Sequence, residues 1–239
     1  MSEFLRGLGR RLVLTPNTIR YRIEYRCLTN LLTGVPKPLA LLIDLGAGSG
    51  EMSARLVEQG FAGAAIGLEP DPINFDLLQR RYAQLENSRC QNSSIESASI
   101  ERESADLVLS TQVLEHIDND DSAVARIWEL TKPAGFALIS VPHPPEIFPN
   151  PGHVRPGYTR ESLKALFERH GFRLLRHEYF FVLATLRRMV AAAELGLVGK
   201  LLPIAWADRE SNLSTAERAN LQPYGIAALF QKPTVNGRE

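Results

Sequence analysis

The chain has 239 residues, with 27 Lys plus Arg against 27 Asp plus Glu and a 44% hydrophobic fraction. That length fits one α/β domain of ordinary size with additions, and the balanced charge leaves no whole-chain footprint for nucleic acid or an acidic membrane surface. Cys27 and Cys90 follow no disulfide or metal-ligand spacing, and no run approaches the roughly 20 apolar residues that span a bilayer, so the expectation is a soluble cytoplasmic protein.

In chain order, residues 1–16 read as an arm ending at Thr15-Pro16, and Asn17 to Thr33 as a helix carrying Ile19, Ile23, Leu28, Leu31 and Leu32 near helical spacing. Tyr21 and Tyr25, four apart on another face, are either ordinary packing or part of a ligand-site wall. Gly34, Pro36 and Pro38 end this helix. Residues 1–36 are thus an N-terminal arm and cap helix, and 37–239 the main domain.

The main domain opens on Leu41-Leu42-Ile43-Asp44-Leu45-Gly46-Ala47-Gly48-Ser49-Gly50. An apolar run, an acid and three alternate glycines, followed by helix-compatible sequence, predict a buried strand, a tight turn and a helix N-terminus. Glycines there let a ligand lie against the peptide planes, and the N–H groups of the next helix favour a carboxylate or phosphate. The dinucleotide fingerprint requires a sixth-position glycine, but that position, counted from Gly46, is Glu51; the Gly-Lys-Ser/Thr of a phosphate loop is also absent. A second apolar run, Ala64-Ala65-Ile66-Gly67-Leu68-Glu69-Pro70, ends in an acid suited to a vicinal diol.

Further strands are expected at 89–92, 105–111 and 134–141, with helices over 50–59, 72–86 and 119–131. This alternation implies a parallel sheet with helices on both faces, whose ligands bind at the carboxyl ends of the strands. A helix capped by Thr159 runs to His170, a strand follows over Phe172 to Phe181, and the last strand lies within Tyr224 to Pro233.

The pattern Asp44-x-Gly46-x-Gly48-x-Gly50 resembles the first motif of class I S-adenosylmethionine-dependent methyltransferases, and Ala105 to Ile117, including Glu115-His116, resembles the fourth-strand motif of the ubiquinone and menaquinone methyltransferase group. The resemblance covers about residues 38–180 and the last strand. It implies a Rossmann-like, seven-stranded, mostly parallel sheet with an antiparallel last strand, and S-adenosyl-L-methionine as cofactor. By the same resemblance, Asp44, Gly46, Ala47, Gly48 and Gly50 face the methionine moiety, Glu69 and Pro70 the ribose, Ser94 and Ile95 the adenine, and Thr111 and Gln112 the reacting methyl. Ser94 stands where the family usually carries an aspartate, so the adenine contact lacks charge assistance. His116 is read as bonding backbone where its strand turns into a loop.

The proline-rich loop from His143 to Thr159 carries His143, Glu146, His153, Arg155 and Tyr158, groups suited to an acceptor or to tying the loop together. His143 and His153, with Tyr158 behind them, are the expected bases if the acceptor is a weak acid. A helical insertion is placed at about 183–222, where Leu183, Leu186, Val190, Ala193, Leu197 and Leu201 fall in one arc. That stripe packs on its own domain, covers a hydrophobic acceptor, touches a membrane through 183–202, or forms a dimer face. The reading is methyl transfer to a small-molecule or lipid-type acceptor, without nucleic acid. A non-catalytic cofactor-binding protein and an NAD-dependent oxidoreductase are the alternatives, the latter disfavoured by the glycine spacing.

Overall fold

The computed structural model describes residues 13–146, 150–197 and 201–234, so residues 1–12 of the expected arm lie outside it. A short strand β1 (Val13–Leu14) leads into helix α1 (Pro16–Leu31), whose start is capped by the Thr15 hydroxyl accepting from Thr18 N. The alternation then runs β2 (Leu39–Leu45), α2 (Glu51–Glu58), β3 (Ala62–Leu68), α3 (Pro72–Tyr82) and β4 (Arg89–Gln91). It continues through β5 (Ala105–Thr111), α4 (Asp120–Leu130), β6 (Thr131–Pro142), α5 (Arg160–Arg169) and β7 (Arg173–Phe180).

A segment with helices α6 (Ala184–Glu194), α7 (Ile204–Ser211) and α8 (Thr215–Ala219) and the short strand β8 (Leu202–Pro203) precedes β9 (Gly225–Gln231). The sheet order is β4-β3-β2-β5-β6-β9-β7, with β9 antiparallel to both neighbours and the other pairs parallel. The expected seven-stranded architecture is therefore present. Its order reverses between β2 and β5, and a crevice opens at such a reversal beyond the carboxyl ends of the strands.

Successive strand residues point to opposite faces, and here both faces are covered, which explains the nearly unbroken apolar runs. Leu42 and Leu107 pack with Leu28 of α1 and Leu56 of α2, whereas Ile43 and Val108 pack with Ile127 of α4 and Phe167 of α5. On that second face Phe167 stacks on Phe230 at 4.2 Å between ring centroids.

The insertion divides the predicted leucine stripe. Leu186, Val190 and Ala193 are buried, but Leu197 and Leu201 are 75% and 60% exposed. The cause is local: α6 ends at Glu194 and Gly196 takes φ +74°, so Leu197 and Leu201 leave the helical arc. The expectation of one continuous stripe is corrected accordingly.

Buried Glu210 of α7 accepts from Val182 N at 2.6 Å and Leu183 N at 3.0 Å, placing a carboxylate at the start of α6. The Arg218 guanidinium of α8 donates to Tyr179 O and Glu210 O, closing the insertion onto β7. β1 pairs antiparallel with β8, so the chain just before α1 is joined to the insertion. No helix among the described residues is long and apolar enough to cross a membrane.

Candidate active site

The glycine turn forms as its sequence dictates. Ala47 N bonds Leu68 O, Gly50 N bonds Ala47 O, and Gly46, Gly48 and Gly50 take φ +67°, +55° and +73°. Two of these glycines serve different ends. A Cβ on Gly46 would lie 2.6 Å from Val113 Cγ2, whereas one on Gly48 would meet nothing within 4 Å. Gly46 lets the next loop pack close, and Gly48 leaves room for a ligand.

That room is a cavity of about 490 Å³ at the carboxyl ends of β2, β3 and β5. Gly46, Ala47, Gly48, Glu69, Pro70, Thr111 and Gln112 line it, which brings seven of the predicted cofactor residues together. Gly50 lies behind them as the N-cap of α2. Asp44 is 1% exposed beneath the turn, and its Oδ1 has no hydrogen-bond partner among the described residues.

Ser94 and Ile95 are not among the lining residues: Ser94 is bonded to Ser97 in a serine turn, and Ile95 is buried in the core on the α4 and α5 face of the sheet. Of the two tyrosines on α1, Tyr21 lines the cavity, and Tyr25 is buried with its hydroxyl donating to Gln59 at 2.9 Å.

Glu69 ends its strand as a fixed acceptor. Its Oε2 takes the Gly48 N–H at 2.7 Å and its Oε1 the Asp71 N–H at 2.9 Å, so the carboxylate both braces the turn and presents its remaining lone pairs. Asp71 in turn caps α3 by accepting from Asn74 N, and both residues reach the cavity.

Sequence reasoning placed a cap helix here and offered Tyr21 as part of a ligand-site wall, but it did not single out Arg20 or Glu24. α1 crosses the strand ends and contributes Arg20 and Glu24 to the lining. Glu24 is 2% exposed; its carboxylate is hydrogen-bonded by the Ser140 hydroxyl and by Gln112 Nε2 at 3.4 Å, and burial raises its pKa. Gln112 is itself held at φ +55°, a left-handed backbone at a strand end. An Arg and a Glu four apart on a helix were the available signal, but helix surfaces commonly carry that pair.

A smaller cavity of about 160 Å³ adjoins the first, sharing Arg20, Gln112 and His116 with it; Glu115, Asn150, His153 and Tyr224 complete its lining. His153 is the only member of the predicted base set to line either cavity. Tyr158 is 5% exposed; its hydroxyl donates to Asp120 Oδ2 at 2.8 Å, and burial, reinforced by Asp120, raises its pKa. Arg155 donates to the carbonyls of Leu114, Ile117 and Asp118, so these two side chains strap the proline-rich loop to the turn after β5. His143 packs edge-on against Tyr179, and burial lowers its pKa. His116 bonds the Gly152 carbonyl through Nδ1 at 2.9 Å, as expected of a residue holding backbone, and also faces both cavities.

A family model described as a methyltransferase domain matches residues 19–177, about two thirds of the chain. This chain belongs to the methyltransferase domain family.

A trans-aconitate 2-methyltransferase of Deinococcus radiodurans is 30% identical over 106 residues, a match spanning 44% of this chain and 39% of that relative. Among solved structures, an S-adenosylmethionine-dependent methyltransferase of Archaeoglobus fulgidus superposes with a TM-score of 0.62 at 16% identity, covering 91% of this chain and 95% of that one. The (4+2) cyclase SpnF superposes equally well, with a TM-score of 0.62 at 16% identity, covering 88% and 81%. These structural likenesses show the fold of the methyltransferase domain; reaction and substrate have to be argued from the site.

Asp44 gives the site a testable pH signature. Burial pushes its pKa from 3.8 up to about 7, against a hydrogen bond from Ser53, and the Glu69 charge adds to the rise. A carboxyl raised on folding stabilises the protein at low pH, and that contribution is lost as pH rises through about 7. The ligand-free protein therefore loses stability from mildly acidic to mildly alkaline pH, and Asp44→Asn reduces that loss without abolishing it, because burial also lifts Glu115 to about 8. Urea midpoints measured across this range check the difference between the two slopes.

Proposed function

We propose that this protein binds S-adenosylmethionine in the larger cavity and transfers its methyl group to a small polar acceptor held in the smaller one. The observation that carries this reading is the join between the two cavities at Gln112, His116 and Arg20, which puts a compact polar chamber against the β5 strand end that, by the family resemblance, would border the reacting methyl.

The lining suits that cofactor. Space beside Gly48 admits the ligand, the unpartnered Oδ1 of Asp44 offers an acceptor to an ammonium group, and Glu69 can take two ribose hydroxyls. Glu24, Glu51, Glu69 and Asp71 make the cavity acidic, which favours a cationic ligand and opposes a dinucleotide pyrophosphate. The NAD alternative is thus disfavoured by charge as well as by glycine spacing.

S-adenosylmethionine supplies a methyl already activated on a sulfonium, so the protein's work is mainly alignment. Orientation can supply on the order of 7–11 kcal/mol of such a barrier. Glu69, Gly48 and Gln112 fix one partner, and Arg20 faces the chamber for the other. A guanidinium there suits an acceptor carrying a carboxylate, and the curated relative named for trans-aconitate points the same way.

Methyl-labelled S-adenosylmethionine, incubated with a cell extract and then partitioned between phases, tests the acceptor class. Label entering the aqueous small-molecule fraction, and falling at least about tenfold with Arg20→Ala for loss of one charged contact, is the expected result. Label confined to the organic phase would replace this reading with a lipid acceptor.

A further inference from the structure

Glu115 and His116, neighbours in the chain, meet His153 of the proline-rich loop on the smaller cavity, and one potential ligand atom of each lies within 4.8 Å of the others. Two independent features of the cluster point to a cation.

The first is Glu115. It is 0% exposed, and neither carboxylate oxygen has a hydrogen-bond partner among the described residues. A buried carboxyl left this way costs several kcal/mol unless something meets it, and the two histidines are the groups beside it on the cavity.

The second is the arrangement behind the two rings. His116 bonds Gly152 O through Nδ1 and so keeps Nε2 as its remaining nitrogen, while the Glu146 carboxylate stands beside His153 Nδ1 in ionic contact without a hydrogen bond between them. A ligating histidine normally gives its other nitrogen to a backbone carbonyl or a carboxylate; His116 has the first kind of support, and His153 has a carboxylate beside its Nδ1 that a small ring rotation would engage. Support of this kind fixes ring orientation and makes the remaining nitrogen more basic. The rings meet edge to face with centroids 4.6 Å apart, close enough to share one ion.

We infer that Glu115, His116 and His153 form a binding site for a divalent transition metal ion of the Zn²⁺ type. Two imidazoles and one carboxylate are a ligand set that zinc accepts while keeping a position open for a further oxygen. That open position would face the chamber shared with Arg20, Asn150 and Tyr224. On the proposed transferase reading, an acceptor oxygen would occupy it, held by the ion and lowered in pKa by it. The metal site itself stands on the cluster alone.

The test uses the full chain stripped by a chelator, with Co²⁺ as the spectroscopic probe and Zn²⁺ as competitor. The expected result is one Co²⁺ per chain, with visible absorption bands that Zn²⁺ abolishes. His153→Ala and the near-isosteric Glu115→Gln should each weaken Co²⁺ binding by at least about 100-fold, and Glu146→Gln by about tenfold through lost support of the ring. Unfolding midpoints and circular dichroism of the same samples keep a folding defect distinct from loss of a ligand. Absence of stoichiometric Co²⁺ binding by the wild-type chain, or unchanged binding in folded His153→Ala and Glu115→Gln, overturns the inference. Because the readout involves no methyl transfer, failure of the transferase reading would leave this result interpretable.

Discussion

Glu69→Ala is expected to weaken S-adenosylmethionine binding by about 10²- to 10⁴-fold. The carboxylate would accept two ribose hydroxyls, and hydrogen bonds to a charged group are worth about 1.5–3 kcal/mol each, with 1.4 kcal/mol per factor of ten. The same substitution removes the partners of Gly48 N and Asp71 N, so the turn that frames the cavity loses a brace. Glu69→Gln retains one side-chain acceptor and nearly the same shape, and should cost only about tenfold. Calorimetric titration of the three proteins separates the cases. Equal affinity for wild type and Glu69→Ala would mean that the cofactor does not lie against β3.

The second large effect concerns stability. Glu210→Ala should destabilise the protein by about 3–5 kcal/mol, the range for breaking a buried charged network by removing one partner. Two backbone N–H groups, of Val182 and Leu183, would be left without their acceptor at the start of α6. Buried Arg187, whose guanidinium pKa is lowered by burial and supported by the Glu210 charge, would lose that support as well. Urea denaturation should show a lower midpoint, and hydrogen exchange should localise the first opening to the insertion. A change below about 1 kcal/mol would show that the insertion is held by its apolar contacts instead.

The strand, acid and turn from Asp44 to Gly50 and the acid-ended strand at Glu69 were legible in the sequence because their information is local, whereas Thr111 and Gln112 were singled out through the family resemblance. An apolar run, an acid and small residues at fixed spacing determine a strand, its end and its turn with little help from the rest of the chain. The mostly parallel sheet followed from the alternation, and the antiparallel last strand from its resemblance; the order of the strands came from the structure.

Arg20 and Glu24 were not legible, because their role depends on how α1 docks across strand ends far along the chain. Tyr21 and Tyr25 illustrate the point: the same helix sends one to the cavity and the other to Gln59. Arg155 and Tyr158 have the residue types of a catalytic loop but are engaged by backbone carbonyls and Asp120. Ser94 departed from the family pattern in sequence, and in the structure its hydroxyl is bonded locally to Ser97.

The most direct measurement of the central claim is an equilibrium binding experiment offering the wild-type chain S-adenosylmethionine and, separately, NAD⁺. One equivalent of S-adenosylmethionine should bind, Glu69→Ala should abolish saturation over the same concentration range, and NAD⁺ should not compete. Tight NAD⁺ binding that displaces S-adenosylmethionine, or no S-adenosylmethionine binding by a folded chain, would contradict the account.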